Sequence, residues 1–91
     1  MRSNLWRLPP GTRGRRHLER VQEEMFIALE GNAVMLLGDP PERIELAPGS
    51  IAVVEPGTPL QLRNESTKEI VVLIVGSPPE HGKAEYLPDV D

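Results

Sequence analysis

Apolar and polar residues alternate along this chain in short runs, and Gly and Pro separate the runs. Residues 24–30 put Phe26 and Ala28 on one face and Met25, Ile27 and Leu29 on the other. Residues 59–64 put Leu60 and Leu62 on one face and Gln61 and Arg63 on the other. Period-two alternation of this kind predicts strands. Residues 33–37 and 69–75 are apolar almost throughout. That pattern suits strands buried on both faces, and in so small a chain a second copy is expected to cover the outer one. Shorter strands are predicted at 4–8, 44–46 and 50–55. Residues 16–21 are predicted to be extended, with His17, Glu19 and Val21 on one face.

The breakers agree. Pro9-Pro10-Gly11, Gly31-Asn32, Asp39-Pro40-Pro41, Pro48-Gly49 and Pro56-Gly57 all fall between predicted strands, where the missing proline N–H does no harm. No stretch has helical periodicity. Seven or eight short strands joined by such turns predict an all-β sandwich or barrel. One domain is expected over residues 1–91, with its core at about 5–76. The tail, 77–91, ends in acidic residues and would pair at an edge or fray.

Composition narrows the function classes. With no cysteine among 91 residues, disulfides, thiolate metal sites and thiol nucleophiles are excluded. No apolar run reaches membrane-spanning length. The first residues lack the apolar core of an export signal, so the cytoplasm is the expected location. Only Trp6, Phe26 and Tyr86 are aromatic, which disfavours stacked recognition of nucleic acid. Residues 1–20 carry six Arg against Glu19, while the chain as a whole has a net charge of −4. Arg13, Arg15 and Arg16 precede His17 in one loop and are candidates to hold an anion. His81 lies in a Pro/Gly loop and reads as a surface residue. Asn64 reads as a turn-stabilising residue.

Two spaced motifs carry a family resemblance. Gly11 is followed after five residues by His17, after one more by Glu19, after four by Glu24 and after six by Gly31. Gly49 is followed after five residues by Glu55-Pro56-Gly57, after two by Leu60 and after three by Asn64. The pair resembles the two motifs of the cupins, double-stranded β-helix (jelly-roll) barrels. In that pattern Glu19 stands where a second His is expected, Leu60 stands where the last His is expected, and the second motif's Pro is displaced by one place. The N-terminus is short for the family, which implies opening strands that are missing or come from a partner.

Carried over position by position, the resemblance leaves His17, Glu19 and Glu24 as potential ligands of a divalent metal, with Mn or Fe favoured over Cu for so hard a set, or as an ion-paired remnant of a lost site. It also implies a ligand pocket lined by His17, Glu19, Glu24, Phe26 and Leu60. The leading expectation is a small-molecule-binding or regulatory barrel with a degraded metal site, paired as a homodimer. One alternative is a metal-dependent isomerase or dioxygenase acting on a sugar derivative or organic acid. There His17, whose imidazole can serve as general acid or base, is the candidate catalytic residue. The other alternative is a structural or interaction protein whose barrel is filled by Phe26, Leu60 and their neighbours.

Overall fold

The computed structural model describes residues 1–80 and 82–90; the reading of His81 as a surface residue lies outside them. Nine strands form among the described residues: β1 (Arg2–Leu8), β2 (His17–Leu18), β3 (Glu23–Glu30), β4 (Ala33–Leu37), β5 (Glu42–Leu46), β6 (Ile51–Val54), β7 (Leu60–Arg63), β8 (Ile70–Ser77) and β9 (Glu85–Tyr86). They make two antiparallel sheets. One has the order β1-β8-β3-β6 and the other β5-β4-β7-β2-β9. The chain supplies β1 itself, paired with β8 from Arg2↔Gly76 to Leu8↔Ile70.

Alternation decides which side chains face inward. In the first sheet, cross-strand partners run Asn4–Ile74–Phe26–Ala52 on one face and Leu5–Leu73–Ile27–Ile51 on the other. In the second, Met35 lies opposite both Ile44 and Leu62. Phe26, Ala28, Met35, Leu62, Ile70 and Val72 are among the buried residues of the shared core. Each large apolar side chain contributes about 1.5–3 kcal/mol on burial. Gly31 turns the chain at φ +74°, where a side chain would also meet Ile70 Cγ2 at 2.8 Å.

Asn64 does stabilise its turn, as its position between strands suggested. Its amide donates to the Leu8, Pro9 and Lys68 carbonyls at 2.9, 3.1 and 2.8 Å, and its oxygen accepts from Ser66. One buried side chain thus ties the end of β1 to the turn before β8.

β4 spans the predicted residues, and its first four positions are all buried. The cover for its outer face comes from the same chain. Val34 and Leu36 share that face with their partners Arg63 and Gln61. Across it lies the tail: Arg16 donates to the Pro88 carbonyl, Gln61 to Asp89 and Arg63 to the Val90 carbonyl. A second copy is not needed there, because residues 87–90 occupy the place.

Candidate functional site

β2 is only two residues long. His17 lies opposite Leu60 on one side and Tyr86 on the other, so the inward row across the sheet is Leu37–Leu60–His17–Tyr86. Upstream, Arg13 faces Arg63 in an isolated bridge. From Arg13 to His17 is four residues, while from Arg63 to Leu60 is three. One residue is therefore extra, a bulge at Arg15–Arg16. The bulge separates the three arginines. Arg13 and the buried Arg16 reach the tail on the outer face. Arg15 turns back over the inward Tyr86, its guanidinium carbon 3.6 Å from the ring centre.

His17 Nδ1 lies 2.9 Å from the Arg15 carbonyl oxygen. A carbonyl only accepts, so Nδ1 carries the proton and donates. In the neutral ring Nε2 keeps its lone pair. The Tyr86 ring is tilted 55° against the imidazole at 6.2 Å between centres.

Between the sheets an open cleft runs in two adjoining lobes of about 450 and 490 Å³. His17, Glu24, Asn4, Trp6, Ile74 and Tyr86 line both lobes. The larger lobe adds an apolar floor of Leu8, Phe26, Leu60 and Leu62, with Arg15 among its polar residues. The smaller adds Arg2, Glu19 and Lys83. All five expected pocket residues therefore reach the cleft, divided between the lobes. Phe26 and Leu60 form its wall and leave space beside them.

The expected metal set fares differently. β2 stops at Leu18, so strand alternation does not carry Glu19 to the side of His17. The chain bends, and the Glu19 carboxylate accepts from the backbone N–H groups of Val21 at 3.1 Å, Gln22 at 2.5 Å and Gly82. Those bonds use the lone pairs a cation would need. Among the described residues, no three His, Asp or Glu side chains come together as metal donors. Leu60 offers no donor. Among the described residues His17, Glu19 and Glu24 do not gather as the donor set that the resemblance implied, and Glu19 is the acceptor that folds the loop after β2.

Asn4, Trp6 and Tyr86 were missed as site residues. For Asn4 and Trp6 the signal was available: alternation through residues 4–8 puts them on one face. Tyr86 had none, because its place depends on a pairing about 70 residues away in the chain (Tyr86↔His17).

The model of the family described as Cupin domain matches residues 4–76. The chain belongs to the cupins. Among solved structures, this cupin is 35% identical to TT1209 from Thermus thermophilus, with a TM-score of 0.75, covering 81% of this chain and 69% of that one. It superposes with a TM-score of 0.85 on an uncharacterized conserved protein with a double-stranded β-helix domain from Klebsiella pneumoniae. That pair is 20% identical, covering 96% and 74% of the two chains, so the likeness is one of fold. It is 28% identical, with a TM-score of 0.73, to a sugar phosphate isomerase from a cupin superfamily of Silicibacter pomeroyi, covering 81% of this chain and 48% of that one. Curated proteins give no significant sequence match.

Proposed function

We propose that this cupin is a small-molecule-binding barrel whose cleft holds its ligand without a metal on His17, Glu19 and Glu24. The observation that carries the reading is the cleft itself. It has an apolar floor and convergent polar groups (His17, Asn4, Trp6, Tyr86), which is the build of a ligand site. A structural barrel would have Phe26 and Leu60 closing that space, and here they line it. The engagement of Glu19 by three backbone amides supports the metal-free part.

The test is a thermal-shift screen of small polar molecules against wild type and Leu60→Trp, which narrows the cleft. Ligands that stabilise wild type should lose their effect in the variant. Added Mn or Fe should leave the wild-type midpoint unmoved. A shift with either ion that Glu24→Gln abolishes would overturn the metal-free reading.

A second reading, an isomerase working by acid–base chemistry at His17, is favoured by the oriented imidazole and by the likeness to the Silicibacter pomeroyi isomerase. Its test is turnover of a sugar phosphate, lost in His17→Asn.

We further propose that two copies pair through the outer face of the β1-β8-β3-β6 sheet. Leu5, Ile51 and Val53 stand 55%, 57% and 53% exposed on it. Contiguous aliphatic surface of this kind marks an interaction face.

A further inference from the structure

The chain has ten Lys and Arg residues. Six of them, Arg7, Arg13, Arg16, Arg20, Arg43 and Arg63, sit within 4 Å of a carboxylate. Among the described residues, four make no ion pair: Arg2, Arg15, Lys68 and Lys83. Arg2, Arg15 and Lys83 line the cleft. In a protein of net charge −4, three of these four cations gather at one opening, which also holds Glu19 and Glu24.

Arg15 is also pre-set. The bulge turns it inward, the Tyr86 ring supports its flat face at 3.6 Å, and its carbonyl fixes the neighbouring imidazole. Stacking leaves the edge of a guanidinium, with its paired N–H donors, open to a carboxylate or phosphate. Beside it the larger lobe is floored by Phe26, Leu60 and Leu62, which rewards an apolar body and gives a bare inorganic anion nothing to cover.

We propose that the cleft takes a small organic anion with its charged end on Arg15 and its apolar body against Phe26, Leu60 and Leu62. The inference rests on the reading of the cleft as a ligand site. It adds the class of ligand and the residue that selects it.

The experiment is calorimetric titration of a graded series of straight-chain carboxylates, butanoate to octanoate, against the matching neutral alcohols and inorganic phosphate. The proteins are wild type, Arg15→Gln, Arg15→Lys and Lys68→Gln. Carboxylates should bind wild type at least tenfold more tightly than the alcohols. Arg15→Gln should erase that preference, since a charge-assisted hydrogen bond pair carries about a tenfold change or more. Arg15→Lys should restore part of it, and Lys68→Gln, a lost cation away from the cleft, should change nothing. Arg15 is exposed, so the variants should melt as wild type does.

Alcohols binding as tightly as carboxylates, with no effect of Arg15→Gln, would overturn the anion inference and leave the ligand site standing. Loss of carboxylate binding in Lys68→Gln as well would overturn it by showing bulk charge alone. No binding by any member of either series would count against the ligand site itself.

Discussion

Arg63 donates from Nη2 to the carbonyl oxygen of Val90 at 2.6 Å, from a side chain that is nearly buried. It closes a set of three. Arg16 holds the Pro88 carbonyl at 3.2 Å and Gln61 holds Asp89 at 3.2 Å, so three successive tail residues are each held by a different side chain. The grip has a consequence at the site, because the same tail carries Tyr86 into the row with His17 and under Arg15. Outer-face packing and inner-face chemistry are therefore coupled through one segment.

Deleting residues 84–91 should consequently cost more than a frayed end would. The loss takes the tail off the face that holds the buried Val34 and Leu36, and it removes the Asp89 partner of the buried Gln61 amide, which keeps its bonds to the Gly14 carbonyl and to Arg63. Two aliphatic side chains and lost hydrogen bonds together predict about 3–5 kcal/mol. Urea denaturation of the two lengths checks this. Equal midpoints would mean that the tail is not held in solution.

Much of this arrangement was legible in the sequence, and the part that was not has a physical reason. The alternation around Phe26 and Leu60 placed both on the inner face, and the apolar run at 33–37 became β4 with its predicted bounds. The same run pointed to cover on the outer face, and the cover is the tail. Alternation reports that a face is buried and is silent on what buries it. Glu19 misled for a related reason. Period-two reasoning holds only while the strand lasts, and β2 ends one residue before it. Arg15 needed the bulge, which is a difference in register between two strands and has no local signature in composition.

Glu19→Ala should destabilise the barrel by about 3 kcal/mol. It removes the acceptor for the Val21, Gln22 and Gly82 amides, and a donor left without a partner away from water costs about 1–3 kcal/mol. Glu19→Gln keeps one acceptor oxygen and should fall between. Chemical denaturation orders the three proteins. An Ala variant as stable as wild type would mean that these bonds do not hold the loop.

Two exposed carboxylates should give opposite pH signatures. A hydrogen bond to Glu23, then the Glu23 charge and then burial raise Glu55 above the ordinary carboxylate range. Its ionised form thus opposes folding at neutral pH, and the cost is relieved as pH falls through the raised value. Glu85 is lowered, chiefly by its hydrogen bond with Arg20. Its stabilisation is present above the ordinary range and is lost as pH falls through the lowered value. Glu55→Gln should therefore melt above wild type at neutral pH, and Glu85→Gln below it, with both differences vanishing in acid. Melting curves across that range decide it. A Glu85 variant that matches wild type at neutral pH would show that the Arg20 pair contributes nothing.

Pairing of two copies should depend on the row Leu5–Leu73–Ile27–Ile51, which crosses all four strands of the first sheet on its outer face. Beside it runs Ser3–Val75–Met25–Val53, also free of charge. Two such faces related by a two-fold axis meet like with like, so one apolar patch suffices for a closed dimer. Ile27 is the residue to change, since it lies within the row and points away from the Phe26 side. Ile27→Lys should sediment as a monomer where wild type sediments as a dimer. Its melting should become independent of protein concentration, and its cleft should stay intact, because Ile27 sits on the outer row of its sheet while the cleft takes residues of the inner row, Asn4, Ile74 and Phe26. Wild type that sediments as a monomer at every concentration would remove the proposed pairing. An Ile27→Lys dimer would move it to another face.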